Sequence, residues 1–263
     1  MAFAETTDNL RLWYEEFGSG PDAVLLIAGQ ATSRHSWRRT VEVLAPERRV
    51  LAFDHRGVGR SESRFPTGWS TRDFARDAIA VLDTAGVERA TVFGHSMGGR
   101  IAQWVAADFP ERVSALVLSA TTVGDPHGVP RPADATDALL TGTPAALLPL
   151  LVSPAWLAAH PDEAAAMRPQ PQDLPARRAH FGAGATHDGS TALPLIDAPT
   201  LVLHGEDDKL CPVGNARILA DRILDSRLHV VPRGRHMFLD EFPETLRVVV
   251  DFLDEVATVA AAD

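Results

Sequence analysis

Six short apolar runs recur along the chain with longer helical patterns between them. They are Ala23–Gly29 (AVLLIAG), Arg49–Asp54 (RVLAFD), Ala90–Gly94 (ATVFG), Val113–Ser119 (VSALVLS), Pro199–Gly205 (PTLVLHG) and Arg227–Val231 (RLHVV). Most are nearly continuous in apolar residues, as strands covered on both faces of a parallel sheet must be. The segments between them read as helices: Thr71–Gly86 with its terminal glycine, Gly99–Phe109 stopped by Pro110, VGNARILADRIL, and ETLRVVVDFLDEVA. Strand alternating with helix predicts an α/β fold, a doubly wound and mostly parallel sheet. RLWYEEFG (Arg11–Gly18) alternates instead and suits an edge strand.

One segment breaks this rhythm. Residues 122–194 hold eleven of the 19 prolines and no convincing strand. Their helical fragments, such as TPAALLPLLVS and PDEAAAMR, are short, and their apolar content is too high for a disordered linker. Long insertions in compact domains are commonly functional lids. The expected organisation is therefore a core over 1–121, a helical cap over 122–194, and the rest of the core over 195–263.

Net charge bears on what such a chain can bind. With 25 Lys and Arg against 35 Asp and Glu, the balance is −10, which argues against nucleic acid. No apolar stretch reaches the ~18 residues of a membrane span. The opening MAFAETTDNL lacks the basic and apolar regions of a signal peptide, so a cytoplasmic protein is expected. Cys211 is the sole cysteine, so neither an intrachain disulfide nor a multi-cysteine metal site is expected.

Chemistry enters at Gly94-His95-Ser96-Met97-Gly98-Gly99, between an apolar strand and a helical pattern. In G-x-S-x-G the serine sits at the tip of a sharp strand-to-helix turn, strained and exposed. Residues two positions before and after it must be small. The following helix brings free N–H groups and a positive dipole end beside the hydroxyl. A serine needs a base, and the base an orienting carboxylate, expected later in the chain in the order acid then histidine. LVLHGEDDKLCP offers Glu206, Asp207 and Asp208; the loop after HVV offers His236.

Together with that elbow, FDHRGVGRSE (Phe53–Glu62), LHGEDDKLCP and GRHMFLDEFPE resemble the α/β-hydrolase superfamily. The small capped serine esterases and lactonases, including enol-lactonases and polyketide methylesterases, are the type it is most similar to. The likeness covers nearly the whole chain outside the cap. It implies an α/β-hydrolase fold. It also implies that the acid is the third residue after a glycine with a proline four further on, which Gly205, Asp208 and Pro212 match. The base would be His236, before the helix opening Pro243-Glu244. The resemblance further implies an oxyanion hole of two backbone N–H groups, from Met97 and from the loop after the first long strand. Relatives carry His-Gly there; this chain has Ala28-Gly29-Gln30, which makes Gln30 the donor and puts the anchoring of that loop in doubt. Ser33 and Trp37 resemble positions that pack the loop.

Other polar residues have blander readings. His95 is expected beside the nucleophile, near substrate. His204 is expected in the core, and His127, His160, His180 and His187 in the cap, as substrate contacts or plain surface. DHRGVGRS lacks the Lys-Ser/Thr of a P-loop and reads as a structural turn; Cys211 reads as packing. Trp156 and the cap leucines suggest an apolar pocket roof, with Trp156 a substrate contact.

The resulting expectation is acyl transfer without cofactor or metal. Ser96 attacks a small apolar ester or lactone, His236 moves the proton, and Asp208 orients His236. Perhydrolase or haloperoxidase-like chemistry, C–C hydrolysis and a slow-turnover ligand receptor use similar triads and are the alternatives. Dehalogenases and epoxide hydrolases place Asp at the nucleophile and do not fit Ser96.

Overall fold

Successive residues of a strand point to opposite faces of the sheet, so an unbroken apolar run needs cover on both sides. The computed structural model, which describes residues 1–64, 68–167 and 174–260, shows that arrangement. The strands are β1 (Ala2–Glu5), β2 (Arg11–Phe17), β3 (Ala23–Ile27), β4 (Arg49–Phe53), β5 (Ala90–His95), β6 (Val113–Ser119), β7 (Thr200–Gly205) and β8 (Ser226–Val231). They form one sheet in the order β1-β2-β4-β3-β5-β6-β7-β8. β3 to β8 are parallel, with β1 and β2 joined antiparallel at one side. On β3, Leu25 and Ile27 enter one core while Val24 and Leu26 enter the other; β6 divides Leu116 and Leu118 from Ala115 and Val117 in the same way. This is an α/β-hydrolase architecture.

The helices follow from cap and packing signals. α1 (Arg38–Leu44) packs Leu44 into the second core beside Trp37. α2 (Thr71–Thr84) starts at a capping box, in which Ser70 and Asp73 satisfy each other's backbone N–H groups, and stops before Gly86 at φ 65°. α3 (Met97–Asp108) follows β5 after a single residue. Between β6 and β7 the described residues form the short helices α4 (Ala133–Thr141), α5 (Pro144–Leu151), α6 (Pro154–Ala159), α7 (Pro161–Ala166) and α8 (Leu174–Ala185). α9 (Gly214–Arg222), α10 (Phe238–Glu241) and α11 (Leu246–Ala260) complete the chain. Arg168, the last residue of PDEAAAMR, lies outside the described residues.

One expectation fails. Arg11–Phe17 is not an edge strand, because β1 pairs outside it with Phe3 opposite Trp13, ring centroids 5.0 Å apart. Four residues, Ala-Phe-Ala-Glu, are too short a run to announce a strand. They gain their pairing only from the neighbour they cover.

Candidate functional site

The sharpest local geometry lies between β5 and α3. Ser96 adopts φ 57°, ψ −118°, a conformation costly for any residue with a side chain. Its neighbours explain how it is held. A Cβ on Gly98 would overlap the carbonyl oxygen of Ile27, one on Gly94 the carbonyl of Gly98, and one on Gly99 the Thr121 side chain. The backbones of β3, β5 and α3 therefore meet at contact distance, and the serine is the only side chain the turn can push outward.

Two loops at the same sheet edge reach it. His236 Nε2 lies 3.0 Å from Ser96 Oγ, and His236 Nδ1 lies 2.8 Å from Asp208 Oδ2. The other oxygen of Asp208 accepts the N–H groups of Leu210 and Cys211 at 2.8 and 2.9 Å. Burial would raise this carboxyl. The His236 charge and hydrogen bond, helped by His204 at 3.6 Å and the Cys211 N–H, outweigh it and hold the carboxyl below its ordinary range. An ionised carboxylate only accepts, so the His236 proton sits on Nδ1 and Nε2 is free to accept from the Ser96 hydroxyl. Glu206 and Asp207 are exposed; only Asp208 is buried and reaches His236. Gly205 and Gly234 bring the two loops together, since a Cβ on Gly205 would overlap the Gly234 carbonyl.

His95 packs against these residues, its ring centroid 5.0 Å from that of His236 and its Nδ1 3.1 Å from Ser119 Oγ. Burial, with the neighbouring His236 charge, pushes it down to about 3, so the ring is neutral. His204 is fully buried and its Nε2 contacts the Cys211 carbonyl oxygen at 2.6 Å. The Cys211 thiol is buried and pushed up to about 11, which suits packing rather than nucleophilic chemistry.

The loop after β3 runs beside the serine: a Cβ on Gly29 would sit 3.4 Å from Ser96 Cβ. Gln30 follows directly, and Met97 opens α3, where the first N–H groups have no intrahelical acceptor. The loop is anchored without a histidine at position 28. His55 Nε2 bonds the Ala28 carbonyl at 2.9 Å, and Thr32 Oγ1 donates to the Gly29 carbonyl at 2.9 Å. Arg34 joins buried Asp54 through its backbone N–H and its guanidinium, both at 2.9 Å, and Trp37 packs edge-on to Phe93. DHRGVGRS is thus a structural turn. The sequence reading missed His55 as an anchor, and the only signal was a histidine at the end of an apolar strand.

The insertion approaches from the other side. The α5 carbonyls of Leu150 and Leu151 accept the backbone N–H groups of His236 and Met237, at 3.4 and 2.8 Å. Trp156 is buried in a small cluster with Val152 and Ala164, stacked on His160 at 4.6 Å, and Met237 packs against the cluster. His180 and His187 are neither surface nor open contacts. His180 Nε2 bonds the Arg56 carbonyl at 2.8 Å, and His187 bonds Thr71 Oγ1 at 2.8 Å and Gln103 at 3.3 Å. Both are buried because they pin the insertion to the core. His127 is exposed near Asp188. Among the described residues no group of His, Cys, Asp or Glu is placed to hold a metal ion, and no helix is long and apolar enough to cross a membrane.

Comparison with known proteins agrees with this architecture. Residues 22–243 match the family model of the α/β hydrolase fold. A protein from Variovorax paradoxus, named "Putative carbamate hydrolase RutD", is 35% identical, covering 94% of this chain and 97% of its own. A hydrolase structure from Pseudomonas aeruginosa superposes with TM-score 0.85 at 26% identity, over 96% of this chain and 97% of that one. The enol-lactonase from Burkholderia xenovorans superposes with TM-score 0.86 at 24% identity, over 96% and 99%, a likeness of fold alone. With the family model spanning most of its length and a relative this similar along nearly all of it, the chain belongs to the α/β-hydrolase fold family and is a hydrolase.

Proposed function

We propose that this hydrolase cleaves a carboxylic ester or lactone through an acyl-enzyme on Ser96. The observation that carries the reading is the continuous hydrogen-bonded path from Ser96 Oγ through His236 to buried Asp208. Ser96 Oγ attacks the carbonyl carbon while its proton passes to His236 Nε2. His236 then delivers that proton to the leaving alkoxide as the C–O bond breaks. Water repeats the sequence on the acyl-enzyme, frees the acid and restores the serine. Asp208 stays ionised and stabilises the imidazolium. The Gln30 and Met97 N–H groups serve the oxyanion. Such donors contribute ~10²–10³ each in rate.

In this reading residues 122–194 are the cap, seated between core segments 1–121 and 195–263. Trp156 borders the pocket from the cap and His95 from the elbow. A second substrate class, a carbamate, is favoured by the relative's name: its carbonyl carbon would accept the same attack to give a carbamoyl-enzyme.

The test is intact mass after treatment with a small fluorophosphonate. One adduct on the wild type and none on Ser96→Ala is expected, together with a loss of at least ~10⁴ in esterase activity for that variant. A folded wild type that takes up no adduct, or a Ser96→Ala protein within tenfold of wild-type activity, overturns the proposal. A panel of esters, lactones and carbamates then ranks the substrate classes.

A further inference from the structure

We infer that His180, in the helical insertion, is a positioning residue that holds the Gln30 amide toward the oxyanion site. The inference rests on the serine-hydrolase reading above. His180 is fully buried, and its Nε2 lies 2.8 Å from the Arg56 carbonyl. A carbonyl only accepts, so Nε2 carries the proton, and Nδ1 of the neutral ring is left as an acceptor. Burial keeps the ring neutral by pushing it down to about 3. Phe74, His55 and Trp69 surround it edge-on, with centroids at 5.0, 5.9 and 6.2 Å, and fix its plane. The donor that Nδ1 faces is the Ala31 N–H, at 3.4 Å.

Ala31 is the residue that most needs such support. Its φ of 55° is left-handed, a conformation costing ~1–2 kcal/mol for an L-residue. Its amide lies one peptide beyond the Gln30 N–H. Holding it removes the rotation that would swing Gln30 away from Ser96. The same helix touches the loop again: a Cβ on Gly184 would sit 3.4 Å from Gln30 Oε1, and Arg100 of α3 donates to the Gly184 carbonyl. α8 is thereby tied both to the loop that carries one N–H donor and to the helix whose first residue carries the other.

Two substitutions separate the two nitrogens. Asn at position 180 puts an amide oxygen where Nδ1 stands, whereas Gln reaches the Nε2 position. His180→Gln is expected to keep the link to the Arg56 carbonyl and lose the link to Ala31. With p-nitrophenyl acetate as probe, its kcat should fall about tenfold with KM changed by less than about twofold, a loss specific to the transition state. Its rate of Ser96 phosphonylation by the fluorophosphonate should fall by a similar factor. His180→Asn should recover most of both rates even where its melting temperature is the lower of the two. A Gln variant with wild-type kcat and phosphonylation rate, or rates that track melting temperature in both variants, overturns the inference. Should neither variant fold, the ¹⁵N spectrum of the wild-type ring decides: a proton on Nε2 supports the assignment, and a proton on Nδ1 refutes it. A wild type that is never phosphonylated removes the parent reading itself, an outcome distinct from any result at position 180.

Discussion

The elbow and the helical insertion flank the same serine and are held in opposite ways. At Gly94, Gly98 and Gly99 there is no room for one more carbon, and the obstacles at the first two are backbone atoms. Among the described residues the insertion has a small apolar cluster of its own, around Val152, Trp156 and Ala164. Val123, Ala183 and Leu193 reach from it into the main core, and polar pins add to them: His180 to the Arg56 carbonyl, His187 to Thr71 and Gln103, Ser153 N–H to Glu241, and the Leu150 and Leu151 carbonyls to the His236 loop. Close packing cannot be replaced by solvent. A hydrogen bond can, and it contributes only ~1 kcal/mol net. The elbow should therefore open only with the whole sheet, and the insertion on its own at lower cost.

The sharpest way to break this contrast is Gly98→Ala. The added methyl must displace the end of β3, which should cost at least ~3 kcal/mol and abolish activity although Ser96 is intact. Thermal unfolding and ester hydrolysis measure both; a stable, active Gly98→Ala protein would show that the elbow has slack.

Acid acts next, and on the insertion first. Burial holds His180 and His187 at about 3 in the folded state, with the Arg100 charge adding to the effect at His187, whereas an unfolded imidazole titrates near ~6.5. Below that value the unfolded chain takes up protons the folded pins refuse. Stability is thus fully present above ~6.5 and falls as pH drops toward 3. His55 and His95, held at about 4 and 3 by burial, impose the same dependence on the core. Hydrogen exchange at pH 5 should show α8 losing protection before β5 and β6. Simultaneous loss would mean that insertion and core open as one unit.

Smaller effects sharpen the comparison. Gly182 lies within α8 with nothing within 4 Å of its would-be Cβ. Gly182→Ala should stabilise by ~0.5–1 kcal/mol, the reverse of the elbow glycine, and raise the melting temperature. Glu163 on α7 forms a half-buried ion pair with Arg39 on α1. Glu163→Gln should cost less than ~1 kcal/mol. A larger drop in melting temperature would mean that charge pairs, rather than the hydrogen bonds, fasten the insertion.

Legibility followed range. The six apolar runs became β3 to β8 within about two residues at each end, because burial on both faces writes itself into every position of a strand. β1 was invisible, since its pairing with β2 depends on a neighbour and not on its own pattern. α1 went unread as well: seven residues carrying two arginines and a glutamate show little apolar periodicity. Among the three carboxylates after β7, residue types alone left the choice open and the resemblance pointed to Asp208; burial and the reach to His236 separate it from its exposed neighbours.

By itself the sequence determined strands β3 to β8, the long helices between them and the glycine elbow, because those depend on residues within a few positions of one another. Only the tertiary structure decided what steadies the loop after β3. His180 stands 149 residues from Ala31, and His55 reaches back 27 residues to Ala28. No periodicity links such positions. Each histidine becomes an anchor only when folding buries it against one carbonyl, which fixes its proton; at His180 that leaves the other nitrogen as an acceptor facing the Ala31 amide.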